Sequence, residues 1–287
     1  MWYIMETVQR SYEMSERLIR AISNWNLVDQ PFDDDIEELI NNGADVNQPH
    51  GSLLPLHCTC MVSDAECLQL LLQNGARVND LDGYLRTALH YAAEKDEQCI
   101  LILLQHGANI NARDGSGNTP LHWASYKNKI ECVQVLLQQG ADPDVRNDNS
   151  DTPLSWAALK GNLKIIQLLL EYNADLCNRN TRGYTPLMQA AYVQGRGLNC
   201  LDNTSLELLI KASGPLGVHS KCVDLISELC QDSKVKKLLL SLCRNPCALQ
   251  NLCCLVIRKA LGYCYLPEVI PKLPLPTQLQ KLLMLQT

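Results

Sequence analysis

The chain has 287 residues, 46% of them hydrophobic, and a formal net charge of −6. That apolar content supports a sizeable core and excludes wholesale disorder, while acidic residues spread along the chain argue against nucleic acid as the main partner, because phosphate binding needs a concentrated basic surface. No apolar run reaches membrane-spanning length, and Met1-Trp2-Tyr3-Ile4-Met5-Glu6 lacks the basic start and apolar stretch of a secretory signal.

In chain order, Ser15 to Asn24 reads as a polar helix. Phe32 to Ile40 then leads into Gly43-Ala44-Asp45-Val46-Asn47, with no Thr-Pro-Leu-His tetrapeptide before it. A capping repeat whose outer face can be wet has this character. From there two series run in phase. One is Leu54-Pro55-Leu56-His57, Thr87-Ala88-Leu89-His90, Thr119-Pro120-Leu121-His122, Thr152-Pro153-Leu154-Ser155 and Thr185-Pro186-Leu187-Met188. The other continues as Gly75 to Asn79, Gly107 to Asn111, Gly140 to Asp144 and Asn173 to Cys177, successive copies lying 32 or 33 residues apart.

Each part has a physical reason. Thr caps a helix N-terminus, and Pro suits the first helical position, where its missing N–H would be unpaired anyway. The Ala pairs at 92–93, 157–158 and 190–191 allow close packing of a short inner helix. A second helix follows each time, as in Cys132 to Leu137, with apolar residues at helical spacing. Gly ends it in a left-handed conformation, and Asp82-Gly83 and Asp114-Gly115 supply turns. After Ala190-Ala191, Gln194 to Asn199 reads as an inserted loop before a helix resumes over Ser205 to Lys211.

These motifs resemble the ankyrin repeat across about half the chain. The resemblance implies helix pairs joined by projecting hairpins, with the motif histidines bonded to the backbone of neighbouring turns. The residues before each tetrapeptide and the ends of the inner helices are expected to form the binding face: Tyr84, Arg86, Trp123, Tyr126, Trp156 and Tyr184. Trp123 and Trp156 occupy the same repeat position and are expected to stack. Packing between inner helices and a contact strip for a protein substrate are both open roles for them.

Two apolar stripes follow, Cys222, Leu225, Ile226, Leu229 and Val235, Leu238, Leu239, Leu242, suited to packing on the last repeat. Asn245-Pro246 is a helix start and Gly262 a stop. Between them Leu249, Leu252, Cys253, Val256 and Ala260 make one apolar face. Leu273-Pro274-Leu275-Pro276 must be extended. A last amphipathic helix carries Leu279, Leu282 and Leu283. A capping helix pair would have the same pattern. The order of motifs resembles the suppressor-of-cytokine-signalling (SOCS) box, departing from it at Cys254, where the family usually has Arg, and at Pro271, which cuts short the preceding helix. Ankyrin repeats with this box are the marks of the ankyrin-repeat and SOCS-box family.

The fold implied is all-α, an ankyrin-repeat solenoid followed by a small three-helix SOCS box. The divisions are 1–31 (N-terminal helical segment), 32–213 (a capping repeat plus about five repeats), 214–244 (helical connector) and 245–287 (SOCS box). The family implies a substrate-recognition subunit of a ubiquitin ligase. Its partners are elongin B and elongin C through Leu249, Leu252, Cys253, Val256 and Ile257, and a cullin of the fifth type with its RING protein through Leu273, Pro274, Leu275 and Pro276. A target held near a ubiquitin-loaded enzyme is marked for proteasomal degradation. An ankyrin scaffold without ubiquitylation is the competing reading. No phosphate-binding Gly loop, HExxH or nucleophile elbow is present, so no catalysis and no cofactor are expected. Of the 14 cysteines, His57, Cys58, Cys60 and Cys67, or Cys243, Cys247, Cys253, Cys254 and Cys264, are the zinc candidates. Neither set has paired C-x2-C spacing, so buried reduced thiols and a cytoplasmic or nuclear location are expected instead of a metal.

Overall fold

The computed structural model describes residues 2–24, 35–195, 204–205, 208–209, 212, 266–272, 280 and 284. Among them the regular elements are helices, with one isolated bridge between His50 and Leu53. The chain divides into two compact units, Met1–Ala124 with Glu131–Ala141, and Ser125–Ile130 with Asp142–Thr287.

Helix α1 runs over Trp2–Asn24, beginning thirteen residues before the polar stretch read from the sequence. It serves as the partner of α2 (Ile36–Asn41). Leu18, Ala21 and Ile22 bury one face, and the Ser15 hydroxyl accepts the Asp45 amide at 2.8 Å. The first repeat thus lacks the tetrapeptide but still has a helix pair.

The next pairs are α3 (Pro55–Val62) with α4 (Ala65–Gln73), α5 (Ala88–Ala93) with α6 (Glu97–Gln105), α7 (Pro120–Tyr126) with α8 (Ile130–Gln138), and α9 (Pro153–Lys160) with α10 (Leu163–Glu171). The outer helices share one buried stripe: Cys67, Leu68, Leu71, Leu72 on α4, then Cys132, Val133, Leu136, Leu137 on α8, then Ile165, Ile166, Leu169, Leu170 on α10. Positions i, i+1, i+4 and i+5 fall on one side of a 3.6-residue helix. Each such Leu or Ile contributes about 1.5–3 kcal/mol by leaving water. Asp64 starts α4 by accepting the Cys67 amide at 2.9 Å, and Asp96 starts α6 by accepting the Cys99 amide at 3.3 Å.

Helix α11 covers Pro186–Gly195, so Gln194 and Gly195 continue the helix where the sequence suggested a loop. Residues 196–199 of that loop lie outside the described residues. Thr204, Ser205, Leu208, Leu209 and Ala212 are helical, and the Ser205 hydroxyl donates to the Gly161 carbonyl at 3.1 Å. Near the C-terminus, α12 (Leu266–Val269) passes into a 3-10 turn over Ile270–Lys272. Pro271 sits in that turn, where it cannot supply an α-helical donor. Leu266 and Ile270 are buried.

Candidate interaction site

The projecting hairpins are built on one repeated side chain. In the first unit the Asp82 carboxylate accepts the amides of Tyr84 and Arg86 at 2.7 and 2.8 Å. Asp114 accepts those of Ser116 and Asn118 at 2.9 and 2.8 Å. In the second unit Asn147 does the same for Asn149 and Asp151, and Asn180 for Arg182 and Tyr184. The third residue after each Asp or Asn has positive φ: Leu85 at 58°, Gly117 at 75°, Ser150 at 59° and Gly183 at 79°. Glycine enters that region freely and leucine does not.

The tetrapeptide histidines are structural. His90 Nδ1 accepts the Thr87 amide at 3.1 Å, so its proton resides on Nε2, which donates to the Asn118 carbonyl at 3.1 Å in the following hairpin. Burial holds the His90 imidazole below its ordinary pKa, against the Asn118 carbonyl and the Asp114 charge, which raise it. His57 Nδ1 accepts the Leu54 amide at 3.2 Å. Burial likewise lowers its pKa although Asp82 and the Asp80 and Arg86 carbonyls act the other way. Neither carbonyl comes within hydrogen-bonding geometry of His57 Nε2, which has no partner.

In the first unit Arg86 is enclosed. Its guanidinium carbon lies 4.7 Å from the Tyr91 ring, 5.2 Å from Tyr84 and 5.4 Å from Trp123. Asp82 is 3.8 Å and Glu94 3.7 Å away, and the Arg86 side chain is 21% exposed. Tyr91 donates to Asp82 at 2.5 Å, and Trp123 Nε1 donates to Asp114 at 2.9 Å. Burial pushes the Asp114 carboxyl up, but donors from Asn118, Ser116 and Trp123 outweigh it and hold it below its ordinary value. Replacing Arg86 therefore removes packing as well as charge. Tyr84 is 64% exposed and forms the accessible part of this cluster.

In the second unit Trp156 meets Tyr126 edge-on, with centroids 5.4 Å apart, and the Lys160 ammonium lies 4.1 Å from the Tyr126 ring centre. Tyr184 pairs with Tyr192 at 6.0 Å. Of the six residues expected on the binding face, Arg86, Tyr84 and Trp123 form one group, Tyr126 and Trp156 a pair, and Tyr184 pairs with Tyr192.

The second unit also holds a cleft of about 190 Å³ lined by Asp151, Leu159, Arg182, Tyr184, Gln189 and Tyr192. Gln189 escaped the sequence reading. It follows Leu187-Met188, so it occupies the place of Tyr91, Trp123 and Trp156 in the earlier repeats. The signal was a break in an aromatic series of period 32 or 33.

Cys58, Cys60, Cys67, Cys99 and Cys132 are buried free thiols and Cys177 is an exposed one. Burial, with the neighbouring Asp64 charge, pushes the Cys67 thiol up to about 12, and burial raises Cys58 and Cys60 as well. The elongin and cullin candidates, Leu249, Leu252, Cys253, Val256, Ile257 and Leu273 to Pro276, lie outside the described residues, as do the stripes at 222–242.

A model of ankyrin repeats matches three times, over residues 18–114, 86–147 and 121–211, and a SOCS-box model matches residues 245–284. Ankyrin repeat and SOCS box protein 8 of Bos taurus, Mus musculus and Homo sapiens is 55% identical over 67 residues, 23% of this chain. The match spans 22% of the length of each of those relatives.

Proposed function

We propose that this chain, which belongs to the ankyrin-repeat and SOCS-box proteins, is the substrate receptor of an elongin–cullin–RING ubiquitin ligase. The observation that carries the reading is the presence in one chain of ankyrin repeats over 18–211 and a SOCS box over 245–284. The repeats hold a protein target and the box joins it to elongin B, elongin C, a type-five cullin and a RING protein. The chain itself performs no chemistry. It raises the effective concentration of a target lysine near the ubiquitin-loaded enzyme, and the marked target passes to the proteasome. The free thiols at Cys58, Cys60 and Cys67 suit a reducing compartment, cytoplasm or nucleus.

Within the box, Leu249, Leu252, Cys253, Val256 and Ile257 are the elongin contacts and Leu273 to Pro276 the cullin contacts. Leu249 and Cys253 are one helical turn apart, so they enter adjoining pockets. Losing a central anchor costs roughly 2 kcal/mol or more. Leu249→Ala with Cys253→Ala should abolish co-purification of elongins B and C while circular dichroism stays near that of the parent. A double variant that still captures elongins would favour an ankyrin scaffold without ligase function.

A further inference from the structure

In each repeat a short loop joins the inner helix to the outer one, and the charge of that loop changes sign along the chain. In the first unit the loops carry Asp64 and Glu66, then Glu94, Asp96 and Glu97 beside the single base Lys95. In the second unit they carry Lys127 and Lys129, then Lys160 and Lys164, with no acidic residue over 125–130 or 159–164. The two basic loops are held side by side. Asn162 Nδ2 donates to the Ser125 carbonyl at 2.7 Å, and the Lys160 ammonium lies 4.1 Å from the Tyr126 ring centre.

These charges do not serve the fold. Lys127 and Lys164 are exposed and Lys129 and Lys160 half-buried. Among the described residues no carboxylate pairs with Lys129, Lys160 or Lys164, although the chain has 31 acidic residues against 25 basic ones. Lys129 stands directly before α8, in the place where Asp64 and Asp96 cap α4 and α6. Lys164 lies in the first turn of α10. The start of a helix disfavours a cation, so neither lysine stabilises the helix beside it. The residue types also narrow the ligand. The two loops hold lysine and no arginine, so they offer separate point charges, not the planar fork that grips one phosphate through paired bonds. Separate point charges suit several carboxylates spaced along a chain.

We infer that these two loops are a docking surface for an acidic segment of the target protein, a run of Asp and Glu whose carboxylates meet Lys127, Lys129, Lys160 and Lys164. The inference rests on the reading of the repeats as the part that holds the target. Exposed charges of this kind raise the rate of encounter and select the partner more than they fix the final affinity. The surface therefore chooses which targets the repeats meet, against the net charge of −6 that the whole chain presents.

The test uses the full chain, isotope-labelled, with the backbone amide resonances of Asn128 and Gly161 as reporters. Hexaglutamate, capped at both ends, is titrated into it, with hexaglutamine and hexalysine as controls for the backbone and for the sign of charge. Hexaglutamate should give saturable shifts at millimolar concentration or below, and the two controls none. Raising the salt from about 0.05 to about 0.3 M should weaken the binding several-fold, because exposed charges are screened. Lys129→Gln with Lys164→Gln should weaken it about fivefold, and the single variant Lys164→Glu at an exposed position should do so at least as much. Arg10→Gln with Arg17→Gln on α1 changes the net charge equally and should leave the affinity unchanged. No saturation by hexaglutamate, equal binding of hexaglutamine, or equal weakening by the lysine and arginine pairs would overturn the docking surface. These probes need no elongin, so a failed docking surface is distinguishable from a failed ligase reading, which elongin capture tests.

Discussion

At His90 the backbone decides the charge state of the side chain. Thr87 donates to Nδ1 and Asn118 receives the proton of Nε2, so both nitrogens of the neutral imidazole are engaged, with the Thr87 hydroxyl also 3.0 Å from Nδ1. Burial lowers the pKa, with Arg86 adding to it. The folded pKa is below the unfolded value of about 6.5, so the unfolded chain binds more protons as the medium acidifies. The stabilisation is complete above that unfolded value and is lost as pH falls toward the folded one. Urea unfolding should therefore show stability dropping with pH below about 6.5. His90→Gln should reduce that slope while His57, lowered in the same way, maintains the rest. An identical slope in parent and variant would show that His90 does not titrate on unfolding.

Among the hairpins, Leu85 breaks a local rule. Gly117 and Gly183 fill the same place in their turns, and leucine at φ 58° meets the steric cost of the left-handed region, about 1–2 kcal/mol. Its side chain is 52% exposed, so little burial offsets that cost. Leu85→Gly should raise stability by up to about 1 kcal/mol. A loss on substitution would mean that the Leu85 side chain, not its backbone, governs the turn. The sequence made the hairpin itself legible, since the Asp-Gly turns and the tetrapeptides recur in phase. The resemblance to the ankyrin repeat implied the histidine bonds, which form at His90, while His57 keeps only the bond within its own tetrapeptide. The enclosure of Arg86 was not legible. Its rings and carboxylates come from Asp82, Tyr84, Tyr91, Glu94 and Trp123, and no single period brings these together. The first helix was legible over Ser15 to Asn24, but its buried face was not: Leu18, Ala21 and Ile22 form a stripe too short to stand out from the polar residues around it, until α2 and α3 give it something to cover.

For the molecule as a whole, the proposed ligase reading gives the box two separable sub-sites. Replacing Leu273 to Pro276 with four alanines should release the cullin and leave the elongins bound, as read by co-purification. Joint loss of both would show that the sub-sites act as one. Within the repeats a different kind of division is visible. In the first unit Asn47 donates to the Gly75 carbonyl at 3.1 Å and accepts the Arg77 amide at 2.9 Å. Asn79 does the same for Gly107 and Asn109, at 3.1 and 2.8 Å. The step from one asparagine to the next equals the step between the groups it holds, so each loop offers its successor the same docking pattern that it received. Genetic gain or loss of one whole repeat would leave these loops with a matching neighbour, whereas an insertion of a few residues between Asn47 and Gly75 would misalign that pair and leave Asn79 with Gly107 and Asn109 untouched. Such a gene can change length in units of a repeat without relearning how to fold.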